Sequence, residues 1–112
     1  MPRFFKKSPV LVFLLLFIPS CWAGDAYWLD VRSAEEFDQG HVSMAINIPY
    51  EEVPTRISEV TNDKDAVLYL YCRSGRRAGI AKEALEEMGY TQVINLESLE
   101  KAQSRAAELS IQ

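Results

Sequence analysis

Residues 66–79 read AVLYLYCRSGRRAG, and this stretch decides the fold. Residues 66–72 are apolar at nearly every position, which is typical of a strand buried on both faces of a parallel sheet. A polar loop follows at residues 73–77, and apolar residues then recur at helical spacing until Gly89, which is predicted to end the helix. The inner side of that helix is predicted to carry Ile80, Ala84, Leu85 and Met88. The sequence therefore predicts a buried strand, a loop and a helix in immediate succession.

The sequence on either side alternates between strand-like and helix-like patterns. Further strands are predicted at residues 27–32 (YWLDVR), 45–48 (AINI) and 92–96 (QVINL). Helices are predicted directly after Ser33, around residues 53–60 and at residues 99–109. Ser33 is predicted to begin the first of these helices through a capping box with Glu36. Strands that alternate with helices predict a single α/β domain, with a mainly parallel sheet covered by helices on both faces.

Composition limits the classes of function. The chain has 112 residues, enough for one domain, and its 48% hydrophobic and 25% charged residues are ordinary for a globular protein. The net charge of −4 argues against a broad nucleic-acid-binding surface. Two cysteines and one histidine are too few for a Cys₄ or Cys₂His₂ zinc site within one chain.

Residues 1–23 have the pattern of a secretory signal peptide. Three basic residues precede nine consecutive apolar residues at 10–18, a run too short to span a membrane comfortably. Cleavage is predicted after Ala23, so that the α/β domain comprises residues 24–112 and is exported. Cleavage after Ala26, an uncleaved anchor and a lipid attached at Cys21 are the alternatives.

Removal of the signal peptide leaves Cys72 as the only cysteine and changes the net charge from −4 to −7. An exported domain with one cysteine has no internal disulfide, so this thiol is either buried and inert or retained for its reactivity. Cys72 ends the most apolar predicted strand, and parallel α/β sheets collect their ligands at the carboxyl ends of strands. Its position therefore predicts a functional site.

The loop after Cys72 favours a thiolate. Arg73, Arg76 and Arg77 bring positive charge, and Gly75 allows a tight turn whose N–H groups point inward before a helix begins. Such surroundings lower the pKa of a cysteine by about one to several units. The same loop would attract a small dianion as substrate. The alternative is that Cys72 is an ordinary buried strand residue and that the arginines are solvated surface.

Two separate segments resemble the rhodanese family of sulfurtransferases. The loop Cys72-Arg73-Ser74-Gly75-Arg76-Arg77-Ala78 is similar to the family's active-site pattern, C-R-S-G-x-R-S/A. The family's other pattern, D-V-R…E-F…G-H-I…A-x-N-I-P, is matched in order and spacing by Asp30-Val31-Arg32, Glu36-Phe37, Gly40-His41-Val42 and Ala45-Ile46-Asn47-Ile48-Pro49. The resemblance extends from about residue 28 to residue 99.

This resemblance implies a rhodanese-like domain with thiosulfate:cyanide sulfurtransferase activity and, together with the signal peptide, a periplasmic location. Cys72 would take sulfur from thiosulfate as a persulfide and pass it to cyanide or a thiol. The substrate-binding residues would be Arg73, Ser74, Gly75, Arg76 and Arg77. Asp30 and Arg32 would brace the site from behind rather than contact the substrate. The resemblance implies no metal or organic cofactor, and we expect no nucleic-acid partner, no stable membrane span and a monomer.

The chain departs from the family at two places. Glu97 and Ser98 stand where members often have two glycines, and Met44 stands where glycine is usual. A carboxylate of Glu97 at the rim of the anion pocket would weaken the binding of an anion. Neither departure affects the nucleophile.

Other classes of protein remain open from the sequence. Cysteine phosphatases and arsenate reductases use the pattern C-x₅-R, but the arginine position is Ala78 here and Arg77 comes one residue early. A non-catalytic rhodanese module that binds sulfur or a partner is a second alternative. A thiol redox protein is disfavoured because the second cysteine of a C-x-x-C pair is absent.

Overall fold

The computed structural model of the protein describes residues 25–111, and the predicted signal peptide at residues 1–23 lies outside the described residues. The strands are β1 (Ala26–Asp30), β2 (Ile46–Asn47), β3 (Val67–Cys72) and β4 (Gln92–Ser98). The helices are α1 (Ala34–Asp38), α2 (Val53–Arg56), α3 (Arg76–Glu87) and α4 (Leu99–Ile111). Single 3₁₀ turns extend α2 on both sides, at Tyr50–Glu52 and Ile57–Glu59. This alternation confirms the predicted α/β class.

Strand β3 lies inside a four-stranded parallel sheet whose order is β2-β1-β3-β4. Leu70 of β3 lies opposite Leu29 of β1 on one side and opposite Asn95 of β4 on the other. Because β3 has a neighbouring strand on each side and packed residues on each face, an apolar sequence suits nearly every position of it. Within residues 25–111, no helix is long and apolar enough to cross a membrane.

The side chains of β3 alternate between two hydrophobic clusters, one on each face of the sheet. Leu68, Leu70 and Cys72 pack in the cluster that contains the buried residues of α2 and α3. Tyr69 and Tyr71 pack in the other cluster, with residues of β1, β4 and α4. Helices therefore cover both faces, as the sequence predicted.

The buried side of α3 differs from the one predicted. Ala78 and Ala81 are fully buried, whereas Ile80 and Met88 expose 44% and 39% of their surface. The prediction for Ile80 and Met88 was wrong because the short turn after Cys72 sets the rotation of the helix, bringing the N–H of Ala78 to 3.5 Å from the sulfur. Small side chains on the inner side then allow α3 to approach the sheet closely.

Strand β4 continues two residues beyond its predicted end and contains a bulge there. The pairing passes from Leu70 opposite Asn95 to Cys72 opposite Ser98, so β4 has one more residue than β3 over this stretch. Glu97 lies in the bulge with a φ of 74°, the one positive φ of a non-glycine residue in the described range. A left-handed backbone costs such a residue roughly 1–2 kcal/mol. Glu97 therefore occupies a position that favours glycine.

Replacing Glu97 with glycine is expected to stabilise the fold. Glycine removes the steric cost of the left-handed backbone, and the ion pair lost with Lys101 is exposed, so it contributes little. We expect the free energy of unfolding, measured by urea denaturation, to rise by up to about 1 kcal/mol. Glu97→Ala is the matched control because it loses the same ion pair and keeps the strained backbone. Equal stability of the two variants would contradict the strain argument.

Candidate active site

Cys72 ends β3 and opens onto a cavity of about 360 Å³ at the carboxyl edge of the sheet. The cavity wall contains Arg32 beyond β1, Glu36, Gln39 and Gly40 in and after α1, Arg73 after β3, and Leu99 and Glu100 at the start of α4. Cys72 has a free thiol and is only 1% exposed, so its sulfur is accessible only to a small reactant that enters the cavity. Among residues 25–111, no three His, Cys, Asp or Glu side chains are grouped as they would be around a metal ion.

Backbone N–H groups surround the sulfur of Cys72. The N–H of Gly75 donates a hydrogen bond to Sγ at 3.0 Å, and that of Ala78 donates one at 3.5 Å. Gly75 has a φ of 100° and is the N-cap of α3, so the chain turns around the sulfur before the helix begins. Burial raises the pKa of the Cys72 thiol, but hydrogen bonds from the backbone of Ala78, Gly75, Ser74 and Arg77 outweigh burial and lower the pKa below its usual value. The thiolate, which is the nucleophilic form, is thereby favoured.

The turn at Gly75 is supported from β4. The side-chain amide of Asn95 donates to the carbonyl of Gly75 at 3.0 Å and accepts from the N–H of Glu97 at 2.8 Å. A Cβ added at Gly75 would lie 3.2 Å from Cγ of Glu97, so glycine suits both the backbone angle and the space. The carboxylate of Glu97 pairs with Lys101 and lies outside the cavity wall, contrary to the position expected from the sequence. Glu100 is the residue of this region that brings a carboxylate to the cavity.

The three arginines that follow Cys72 have separate places. Arg73 lines the cavity, and its side chain is 75% exposed. The guanidinium of Arg76 lies 6.0 Å from the ring centroid of Tyr50, away from the cavity wall. The side chain of Arg77 is directed to α1 and is also outside that wall. The structure thus brings one of the three predicted guanidinium groups to the cavity, and Arg77 acts on the sulfur through its backbone.

Glu36 holds two of these arginines, although the sequence did not assign it to the site. Its carboxylate accepts hydrogen bonds from both terminal nitrogens of Arg77, at 2.9 and 3.1 Å, and lies 3.5 Å from the guanidinium of Arg73. It also accepts from the backbone of Ser33 at 3.0 Å, which completes the predicted capping box. The hydrogen bonds from Arg77 lower the pKa of Glu36 to about 2. The sequence showed that Glu36 belongs to the capping box and to the E-F motif. It did not show the ion pair, because Arg77 is 41 residues away along the chain.

Asp30 and Arg32 form an ion pair at the end of β1. Nε of Arg32 donates to Oδ1 of Asp30 at 2.9 Å, and Nη2 donates to Oδ2 at 2.6 Å. The amide of Asn47 donates to the backbone carbonyls of both residues, which fixes this end of the strand. Asp30 is fully buried, whereas Arg32 is 7% exposed and forms part of the cavity wall. Arg32 therefore reaches the cavity itself, and Asp30 lies behind it.

Comparison with known proteins relates the chain to one family and to several sulfurtransferases. The family model described as "Rhodanese-like domain" matches residues 20–98. Thiosulfate sulfurtransferase PspE of Escherichia coli (strain K12) is 46% identical over 91 residues, which cover 81% of this chain and 86% of that protein. A sulfurtransferase of Allochromatium vinosum is 39% identical over 72 residues, covering 64% of this chain and 65% of that protein.

Two solved structures that resemble this chain are also a rhodanese and a sulfurtransferase. A rhodanese with anions from E. coli is 47% identical and superposes with a TM-score of 0.65, covering 68% of this chain and 89% of that chain. A human single-domain sulfurtransferase is 26% identical with a TM-score of 0.56, covering 76% of this chain and 83% of that chain.

The thiol of Cys72 is expected to react at lower pH than an ordinary cysteine. Its lowered pKa keeps the thiolate present at pH values where an ordinary cysteine is largely protonated. The rate of alkylation by iodoacetamide, measured on the peptide that contains Cys72, should therefore have a lower pH midpoint in the folded protein than in the unfolded chain. The urea-unfolded protein is the control, since it lacks the backbone N–H groups around the sulfur. A midpoint equal to that of the unfolded chain would contradict the lowered pKa.

Glu36→Gln is expected to lower stability only where Glu36 is ionised. Glutamine preserves the capping box but removes the ion pairs with Arg77 and Arg73. Because the folded pKa is about 2 and the ordinary value is 4.5, this contribution is fully present above pH 4.5 and is lost as the pH falls towards 2. We expect the variant to lose about 1 kcal/mol of unfolding free energy at about pH 7, by urea denaturation.

The difference between Glu36→Gln and the wild type should shrink as the solution is acidified. Glu35→Gln is the matched control, because Glu35 is the exposed neighbour on the same helix and forms no ion pair with these arginines within residues 25–111. A loss in Glu36→Gln that stays constant from neutral to acid pH would show that the charge of Glu36 is not its cause.

Proposed function

The chain belongs to the rhodanese-like family, and we propose that it is a thiosulfate sulfurtransferase that carries sulfur as a persulfide on Cys72. The observation that carries the proposal is the set of backbone N–H donors around Sγ of Cys72, beside a cavity at the sheet edge. A thiolate held at a helix N-terminus is a good nucleophile, and the same donors suit the negative charge of a persulfide. The name of the E. coli relative, a thiosulfate sulfurtransferase, supports this choice of donor.

In the first half of the proposed reaction, the Cys72 thiolate attacks the outer sulfur of thiosulfate. A bond forms between Sγ and that sulfur, the S–S bond of thiosulfate breaks, and sulfite leaves with the electron pair. The N–H groups of Gly75 and Ala78 stabilise negative charge on the sulfur, and Arg73 offsets the charge of the incoming dianion. The thiolate has already lost its proton, so this step needs no general base.

In the second half, cyanide or a thiolate attacks the outer sulfur of the persulfide. The Sγ–S bond breaks, the sulfur leaves on the acceptor, and the Cys72 thiolate is restored; with cyanide the product is thiocyanate. Two separate half-reactions on one enzyme predict ping-pong kinetics. The cavity volume of about 360 Å³ and the 1% exposure of Cys72 favour small acceptors.

The geometry favours sulfur transfer over phosphatase or arsenate reductase chemistry. In the C-x₅-R pattern of those enzymes, the arginine position corresponds to Ala78, which is fully buried on the inner side of α3. The neighbouring Arg77 binds Glu36 with its guanidinium and lies outside the cavity wall. A tetrahedral oxyanion at Cys72 would therefore meet the N–H groups without the arginine that those enzymes place there.

We also propose that the domain works in the periplasm. The support is the pattern of residues 1–23, with a basic start, the apolar run at 10–18 and small residues before the cleavage point at Ala23. The free thiol of Cys72 fits an exported domain whose cysteine is kept for reaction rather than for a disulfide.

Thiosulfate is expected to add one sulfur atom to Cys72. Intact-mass measurement of the protein exported by cells, before and after thiosulfate, should show this gain in nearly every molecule. Cyanide should then remove the sulfur and release an equal amount of thiocyanate. Cys72→Ser is the matched control, since it has nearly the same size and should gain nothing.

The outcomes separate the candidate functions. Sulfur that is gained but not released to cyanide or to a small thiol would favour a non-catalytic sulfur-binding module. An accessible thiol that gains no sulfur would overturn the sulfurtransferase proposal. The untreated mass tests the location: a chain beginning at residue 24 or residue 27 supports export and cleavage, whereas an added lipid on Cys21 would indicate an anchored protein.

A further inference from the structure

Arg32 is a buried arginine in the wall of the cavity that contains the Cys72 thiol. It is 7% exposed. Its Nε donates to both carboxylate oxygens of Asp30, at 2.9 and 3.1 Å. Its Nη2 donates to Oδ2 of Asp30 at 2.6 Å and to the carbonyl of Gly40 at 2.7 Å. Two of its three nitrogens are therefore held by the protein.

The third nitrogen, Nη1, has no hydrogen-bond acceptor among residues 25–111. Buried polar groups are nearly always hydrogen-bonded, and an unused donor on a buried charged group costs free energy. Nothing in this part of the chain satisfies Nη1, so its acceptor is solvent or a ligand in the cavity.

The guanidinium of Arg32 lies on the side of the Cys72 cavity. Gly40, whose carbonyl accepts from Nη2, is itself part of that cavity wall. Arg32 also lines a second pocket, together with Val31 and Ser33 but without Gly40 or Cys72. Because the guanidinium is bonded to Gly40, which lines only the first of these two pockets, we assign it to the cavity that contains the thiol.

We infer that Arg32 binds a sulfonate oxygen of thiosulfate directly through Nη1, as a substrate ligand and not only as a brace. The inference rests on the proposed function. Asp30 holds the guanidinium in one orientation, so little side-chain entropy is lost when the substrate binds. As the S–S bond breaks, negative charge grows on the departing sulfite, and a hydrogen bond to its oxygen becomes stronger.

Arg32 suits this role better than Arg73. The Arg73 side chain is 75% exposed, so solvent weakens its attraction for an anion. Arg32 is shielded from solvent, where a charge-assisted hydrogen bond is stronger. Glu36 and Glu100 also lie in the cavity wall and repel a dianion, so a fixed donor in the same cavity as the thiol is needed to hold it.

Arg32→Lys tests the inference, because lysine keeps the positive charge beside Asp30 but has a single terminal nitrogen in place of Nη1 and Nη2.

Persulfide formation is measured in single turnovers with two donors: thiosulfate, and inorganic polysulfide, which has no oxygen atoms. With polysulfide, the thiolate forms a bond to a terminal sulfur, the adjacent S–S bond breaks, and a shorter polysulfide leaves with the electron pair. We expect the rate constant with thiosulfate to fall about tenfold or more. The rate constant with polysulfide should change less than about twofold, since no oxygen is bound.

Arg56→Lys is the matched control, because Arg56 forms exposed ion pairs with Glu52 and Glu59 and is not part of the cavity wall; both rate constants should equal those of the wild type. An unchanged rate with thiosulfate in Arg32→Lys, or an equal loss with both donors, would overturn the inference. A wild type that takes sulfur from polysulfide but not from thiosulfate would instead overturn the proposed donor, before any variant is compared.

A second variant covers the case in which Arg32→Lys does not fold, as judged by circular dichroism. The double variant Asp30→Asn/Arg32→Gln replaces both buried charges together, which is milder than leaving one of them unpaired. It also lacks Nη1, so it should show the same donor-selective loss. Retention of the wild-type preference for thiosulfate over polysulfide in this variant would also overturn the inference.

Discussion

The tight turn that leads the chain from β3 into α3 is the constraint on which the rest of the site depends. Cys72 ends a strand held on both sides, and Gly75, three residues later, takes a φ of 100° at the start of the helix. This one conformation directs backbone N–H groups to Sγ and sets the rotation of α3, so that Ala78 faces the sheet. Asn95 of β4 supports the turn through its hydrogen bond to Gly75. Thiol activation and helix packing are therefore consequences of the same backbone geometry.

Charges around the cavity are largely paired with one another. Glu36 binds Arg77, and Asp30 binds Arg32. These pairs hold the ends of β1, α1 and α3 in place more than they create a strong positive field. The backbone N–H groups, whose positions do not depend on flexible side chains, provide the donors at the sulfur itself. An acidic chain, with a net charge of −4, can thus stabilise a thiolate without a cluster of free cations in the cavity.

The sequence predicted the features that depend on neighbouring residues. The apolar run ending at Cys72 indicated the buried strand, and the spacing of Ser33 and Glu36 indicated the capping box, which the structure contains. The rotation of α3 was not predictable in the same way, because Ile80 and Ala81 both fit helical spacing and only the turn chooses between them. The sequence also suggested that Arg73, Arg76 and Arg77 form one basic loop. Their side chains point to different places because the helix begins at residue 76 and its rotation directs each one separately.

The sequence by itself determined the α/β class, the order of strand, turn and helix around Cys72, and the two motifs that relate the chain to its family, since these depend on residues a few positions apart. Only the tertiary structure decided which charges meet and which side chains reach the cavity. Glu36 and Arg77 are 41 residues apart, and Arg32 meets the Cys72 cavity because β1 and β3 are neighbours in the sheet. The place of Glu97 in a bulge was likewise set by pairing between β3 and β4. Such contacts arise from strand order and register, which bring together residues that no local pattern connects.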